Sequence, residues 1–317
     1  MTTTKTTKRN DPKRAPSSES RYSIMEFDRE FPDDSACLDF LVAKLYPEGI
    51  FCPNCDKVTR HHRVKTRTCF ACQFCGHQEY PMAGTIFERS STSLRLWFRA
   101  MYLMASTRCG ISAKQLEREL GVSYPTAWRM FKEIRSMLGQ DGNDPLSGTV
   151  EMDETFIGGK PRVGDIKSKR EVRAFVEKKA KVFGAVQRGG NVTATVIPSR
   201  RANTIMPLAT KHVLPASTVY TDEFKSYRGL TQAGYAHSRI NHSEGVYVSG
   251  DVHTQTIEGF WALLKGGLIG VYHGVSTKHL QSYLDEYVFR YNNREITGRR
   301  GMFDAFLSRI EKASASS

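Results

Sequence analysis

The chain has 317 residues, 39% hydrophobic and 25% charged, a balance that suits a soluble globular protein of two or three modules. It contains no run of about 18 apolar residues and no apolar segment near the N-terminus, so neither a membrane span nor secretory export is expected. Forty-six Lys and Arg against 33 Asp and Glu leave a net charge of +13, a field that attracts polyanions, of which nucleic acid is the commonest.

Residues 1–24 are rich in Thr, Lys, Arg and Ser with little to bury, and are expected to form a disordered basic arm. In 25–47, Phe27, Phe31, Cys37, Leu38, Phe40, Leu41 and Leu45 recur at near-helical spacing, which predicts a short helix. Five of the seven cysteines then fall between Cys52 and Cys75. Cys52 and Cys55 form one C-x2-C pair and Cys72 and Cys75 another, with sixteen residues between the pairs. Four thiolates on two tight knuckles satisfy tetrahedral zinc and leave no open position, so the expected site is structural. Cys69 and Cys72 also make a C-x2-C. The Cys72/Cys75 frame is favoured because Gly76 suits the turn after a knuckle. This zinc-ribbon module with its flanking helix is placed at 25–89. Lys57, Arg60, Arg63, Lys65 and Arg67 between the knuckles point to nucleic acid.

Residues 90–140 read as helical. Leu94, Trp97, Phe98, Met101, Tyr102 and Met104 make one amphipathic helix. A second, from Ser112 to Leu120, ends at Gly121, and a third begins near Tyr124. That is the layout of a helix–turn–helix, whose second helix would present Tyr124, Thr126, Arg129 and Lys132 to DNA. A polar linker at 141–149 precedes a strand at 150–159. Two further strands at 181–188 and 191–198 flank a Gly189-Gly190 hairpin turn, followed by a helix at 203–213. A short strand stops at Asp222, an apolar-polar run covers 235–240, and a helix opens at Thr254 with Ile257, Phe260, Trp261 and Leu264 on its apolar face. The order predicts an α/β sheet domain with its acids at strand ends. Helix 276–296 would turn Leu280, Tyr283, Leu284, Tyr287, Val288 and Tyr291 inward, with Arg290 and Arg294 as candidate phosphate contacts or partners for acids.

Asp153 lies inside the first strand, where an ionised carboxylate is costly unless paired or metal-bound. Asp222 closes a strand, and Glu258 shares the polar stripe of its helix with Lys265, two turns on. Three such oxygen ligands suit one or two Mg²⁺ ions, which would clamp the attacking and leaving oxygens of a phosphoryl displacement. Glu151 shares the face of Asp153 and is an alternative ligand. Glu154 faces the other way and is set aside.

Together these stretches resemble the DDE transposases of bacterial insertion sequences, in the zinc-ribbon ISXO-type group related to eukaryotic Merlin elements. The resemblance covers roughly 35–297 and rests on CPNC at 52–55, CQFCGHQ at 72–78, AGTIFE at 83–88, LGVSYPTAWRMFKEIR at 120–135, VEMDETFIGGK at 150–160, TDEFKSYRGL at 221–230, HTQTIEGFWALLK at 253–265 and HLQSYLDEYVFRYNNR at 279–294. It implies an RNase H-like mixed-sheet catalytic domain at 150–297, with Asp153, Asp222 and Glu258 as the Mg²⁺-binding triad, Mn²⁺ as a substitute, and Lys265 on the terminal DNA strand. One departure is Gln255, which stands where relatives often carry Asn. The implied function is cleavage and strand transfer at the terminal inverted repeats of an insertion sequence, on double-stranded DNA, by a homodimer or larger assembly. The implied location is the cytoplasm, at the nucleoid. A derived DNA-binding regulator without catalysis is the alternative. The Lys160–Lys181 stretch, nine Lys and Arg against three acids, is expected as a charged loop, and 298–317 as a C-terminal tail.

Overall fold

The computed structural model of the chain describes residues 22–139, 144–159, 168–222, 224–239 and 253–312. The basic arm expected at 1–24 lies almost wholly outside them, as do 140–143 of the expected linker, 160–167 of the charged stretch and 240–252 before the Thr254 helix.

Two helices, α1 (Ile24–Glu30) and α2 (Asp34–Leu45), stand where one is expected. The break follows from Pro32, which has no N–H to donate, and from Asp33, whose carboxylate accepts the Ala36 N–H at 2.9 Å and so starts a new helix. Next come β1 (Phe51–Cys52) paired with β2 (Lys57–Val58), and a three-stranded sheet of β3 (His61–Arg63), β4 (Phe70–Cys72) and β5 (Gln78–Glu79). Three helices follow: α3 (Leu94–Ser106), α4 (Ala113–Leu120) and α5 (Tyr124–Leu138). Ser112 caps α4, and Gly121 closes it in the left-handed region at φ 65°, where a side chain would be strained. Pro125 sits in the first turn of α5, where its missing N–H costs nothing.

The sheet domain runs β6 (Thr149–Ile157), α6 (Lys169–Glu177), β7 (Ala180–Gln187), β8 (Val192–Ile197), α7 (Ala202–His212), β9 (Thr218–Thr221), β10 (Ala236–Arg239), α8 (Gln255–Gly270), α9 (Leu280–Asn292) and α10 (Met302–Ser308). In space the strands lie in the order β10-β9-β6-β7-β8. β6, β7 and β8 form an antiparallel meander, and β9 and β10 add parallel on the other side of β6. This is the RNase H-like strand order. Both faces are covered, as β7 illustrates by alternation: Val182 and Val186 pack toward α8 and α9, Phe183 and Ala185 toward α7.

One hydrophobic core runs without interruption from α1 through α5 into α8, α9 and α10. The helical region and the sheet domain are thus welded rather than strung on a linker. At the weld, α5 supplies Arg135 and α9 supplies Glu286 and Arg290, all buried. Arg135 Nε donates to Glu286 at 2.7 Å, Arg290 donates to it at 2.8 and 2.9 Å, and the Arg135 guanidinium lies over the Phe131 and Tyr283 rings. Burial alone would raise the Glu286 carboxyl, but the two guanidiniums outweigh it and hold it below its ordinary value.

Three expectations are corrected. The segment 298–317 carries α10, whose Phe303 stacks among Tyr22, Phe27, Phe31 and Tyr102, because Phe303, Phe306 and Leu307 are spaced to bury one helix face. The charged stretch after β6 contains α6, started by a capping box of Ser168 and Glu171. In the linker, Leu146 is buried in the core under α7, its N–H donating to His212 O at 2.7 Å and its carbonyl accepting from Leu214 N at 2.8 Å.

Candidate active site

Asp153 sits at the centre of β6 on the side of the sheet that faces α8. Its partner across β7 is Gly184, the one residue that leaves room there: a Cβ on Gly184 would come within 2.5 Å of the Trp261 ring. Trp261, on the inner face of α8, uses that space to donate its indole N–H to Asp153 Oδ2 at 3.0 Å. Asp222 comes from the parallel neighbour. The β6–β9 register ends at Glu151 opposite Tyr220, and two residues further on each chain stand Asp153 and Asp222. Asp222 Oδ1 accepts the Phe224 N–H at 3.0 Å, which fixes the carboxylate at the strand end. Glu258 lies one turn into α8, exposed, with Thr254 donating to its Oε1 at 3.1 Å.

The electrostatics tie these groups together. Burial first, then the charge of Asp222 and, less, that of Glu258, push the Asp153 carboxyl up to about 6 against the pull of its hydrogen bonds. Lys265 is half-buried nearby. Desolvation lowers its ammonium from the ordinary value, Asp153 acts in the opposite sense, and Lys179 adds to the lowering. Among the described residues the three carboxylates do not form a cluster as tight as that of the cysteines below.

Two neighbouring acids behave otherwise than the sequence suggests. Glu151, an alternative ligand by its face, is fully buried and spent on structure. It pairs with Arg188 at 2.7 Å and accepts the Thr256 and Ile257 N–H groups at 2.8 and 3.0 Å, so it caps the start of α8. Glu154 does face away, toward α7, yet it belongs electrostatically to the site. Burial raises it to about 7, with Asp222 and Asp153 adding to the rise, while the Tyr227 hydroxyl donates to it.

The other candidates separate as follows. Cys52, Cys55, Cys72 and Cys75 bring their sulfurs within 4.8 Å of one another. The Cys52–Cys75 and Cys55–Cys72 sulfurs are 3.4 and 3.9 Å apart, close to the roughly 3.8 Å edge of a tetrahedron with Zn–S bonds of about 2.3 Å. Cys69 stays outside, buried, its thiol directed at Gln78 Oε1 at 3.6 Å. Gly76 is left-handed at φ 74° and returns its N–H to Cys72 O at 3.0 Å, as a knuckle requires. The donor set fits zinc. The Thr59 hydroxyl and the backbone N–H groups of Cys75 and Phe74 bring the Cys72 thiol down to about 5. On α5, Tyr124 and Lys132 are exposed and Thr126 is half-exposed beside Ser123 Oγ at 3.0 Å. Arg129 is turned inward instead, donating to Ser90 and Thr92 hydroxyls at 3.1 Å each and lying over Trp97. Arg290 is likewise no phosphate contact, since Glu286 and the Met104 and Thr107 carbonyls occupy it. Trp261, Thr254 and Tyr227 were not singled out from sequence as parts of the site. A glycine in mid-strand at 184 is the sequence signal from which a close approach there can be read.

Comparisons with known proteins give the family. The ISXO2-like transposase domain family matches residues 145–292, and the transposase zinc-ribbon domain family matches 32–78. A Halobacterium salinarum protein described as an uncharacterized protein in transposable element ISH50 is 31% identical over 287 residues, covering 86% of this chain and 95% of the relative. A Haemophilus influenzae uncharacterized transposase-like protein is 35% identical over 105 residues, which is 33% of this chain and 84% of that one. A solved catalytic core domain of BIV integrase overlaps 51% of this chain and 94% of its own with a TM-score of 0.32 and 16% identity. The fold assignment rests on the strand order, not on that overlap.

Proposed function

This chain belongs to the ISXO2-like family of DDE transposases with an N-terminal zinc ribbon, and on that premise we propose that it cuts DNA at the ends of an insertion sequence and joins those ends to target DNA, with Asp153, Asp222 and Glu258 as the reacting centre. The observation that carries the reading is one mid-strand, one strand-end and one helix carboxylate acting on each other, with Asp153 pushed up to about 6 by its burial first and by the charges of Asp222 and Glu258 after it. Such a donor set suits Mg²⁺, with Mn²⁺ as a substitute. When bound, divalent ions would supply positive charge on the attacking and leaving oxygens of an in-line displacement.

The chain's own residues do the rest. Trp261 orients Asp153 through its Oδ2, Thr254 orients Glu258, and Lys265 contacts the phosphates of the terminal strand. Water attacks first and leaves a 3′-hydroxyl at the element end. That hydroxyl then attacks the target strand, so no covalent bond to the protein is needed. The zinc ribbon and the α4–α5 pair bind the terminal inverted repeats, Tyr124, Thr126 and Lys132 among the contacts. Two ends have to be held together, which calls for a dimer or larger assembly.

The test is cleavage of a labelled duplex ending in the element's own repeat, in Mg²⁺. Cleavage by the wild type that disappears in Asp153→Ala and Asp222→Ala, with binding retained, is the expected result. Repeat binding without cleavage in both Mg²⁺ and Mn²⁺ would replace this reading with that of a DNA-binding regulator.

A further inference from the structure

Between α4, the start of α5 and the loop that joins α8 to α9 lies a groove of about 900 Å³. Its walls carry Lys114, Arg118, His273 and His279, with one acid, Glu119, and its aromatic lining includes Tyr124 and Trp128. Lys114 and Arg118 are exposed on α4. Lys114 leans over the Tyr124 ring at 5.5 Å and also pairs with Glu117 at 2.5 Å. Trp128 stands edge-on to His279 at 5.7 Å, so rings drawn from two different elements meet on the groove wall. On the same wall the Tyr272 hydroxyl is buried without a hydrogen-bond partner.

We propose that this groove holds a few unpaired nucleotides of one DNA strand, with Lys114 and Arg118 on the phosphates and Tyr124 and Trp128 against the bases. Cations interleaved with aromatic rings are the chemistry of single-strand binding, because every base offers a π-face while only the backbone carries charge. The volume falls within the roughly 300–1,000 Å³ of ligand clefts. The groove is also placed for the reaction. It meets the end of α8 at Gly270, and Glu258 lies twelve residues earlier on that helix, about 18 Å away at about 1.5 Å per residue. At the roughly 3.4 Å per nucleotide of a duplex strand that is at most about five nucleotides from the carboxylates, and fewer for a more extended unpaired strand. The groove would therefore grip a strand splayed within about five nucleotides of the scissile phosphate.

This rests on the reading that the chain acts on DNA, and binding alone is measured so that a failure of catalysis leaves it untouched. The full chain carrying Asp153→Ala is titrated with a fluorescent ten-nucleotide oligothymidylate and with a ten-base-pair duplex of the same length. Oligothymidylate binding is expected to weaken with salt and to lose about 5- to 150-fold in affinity on Trp128→Ala, while duplex affinity, held by the zinc ribbon and the exposed face of α5, changes little. Arg118→Glu with Lys114→Glu, both exposed and therefore harmless to folding, is expected to weaken it comparably. Unchanged oligothymidylate affinity in the charge-reversed protein overturns the proposal. So does a loss of duplex affinity on Trp128→Ala as large as the loss of oligothymidylate affinity. A charge reversal that alters only self-association assigns the groove to a second copy of the chain and overturns it too.

Discussion

Trp261→Phe isolates one hydrogen bond at the proposed reacting centre. The indole N–H donates to Asp153 Oδ2 at 3.0 Å, and the ring otherwise packs with Phe260 and against Gly184. Phenylalanine keeps an aromatic ring in the helix–sheet contact and deletes the donor. A hydrogen bond to a charged group contributes about 1.5–3 kcal/mol, which is about 10- to 150-fold in an equilibrium or rate. Because that bond holds the Asp153 carboxyl down against burial and Asp222, its loss leaves the carboxylate harder to ionise and less well aimed. Single-turnover cleavage measured across a Mg²⁺ series is expected to show a fall of that size at low Mg²⁺, partly recovered at high Mg²⁺, with melting near that of the wild type. A variant with wild-type cleavage at every Mg²⁺ concentration would refute the positioning role of Trp261.

Other outcomes follow from the same structure. Purified protein is expected to carry one zinc per chain, lost in Cys75→Ser and retained in Cys69→Ser, as counted by metal analysis; the reverse pattern would mean the second knuckle is Cys69 and Cys72. Glu286→Gln leaves Arg135 and Arg290 buried beside a neutral amide and should cost about 3–5 kcal/mol in urea unfolding. A loss under 1 kcal/mol would show that aromatic packing alone holds α5 to α9. Glu154 has a raised folded pKa of about 7, so without divalent ions its contribution to stability is complete below its unfolded value and is lost as pH rises through 7. Glu154→Gln is therefore expected to flatten the decline in melting temperature between pH 5 and pH 8, and an unchanged slope would contradict the assigned shift.

Much of this site is legible in the sequence because its chemistry is placed by local rules. A carboxylate between apolar strand positions, one at a strand end and one on a helix stripe can be read from alternation and helical periodicity, and the charges of Asp222 and Glu258 do act on Asp153. The cysteine frame is legible in spacing only up to a choice, since Cys69-x2-Cys72 and Cys72-x2-Cys75 overlap; the sulfurs decide it in three dimensions. What could not be read depends on register and on contacts far apart in sequence. Trp261 meets Asp153 across 108 positions because Gly184 is the strand partner of Asp153, and Glu151 is taken out of the ligand set by the Thr256 N–H, 105 positions later at the start of α8. Arg129 and Arg290 look like phosphate ligands on a helical wheel, yet the packing of α5 and α9 into one core turns both toward protein acceptors. The tail that became α10 was missed for a related reason, since seven residues of helix are stabilised by Tyr22 and Phe27 at the other end of the chain.

The most direct measurement supplies the protein with an element end already carrying a free 3′-hydroxyl, a supercoiled plasmid target and Mg²⁺, and counts joined molecules. Joining by the wild type, abolished by Glu258→Gln and by Asp153→Asn while both still bind the end, is expected of a strand-transferring centre at these carboxylates. Joining that survives either substitution would place the chemistry elsewhere in the chain.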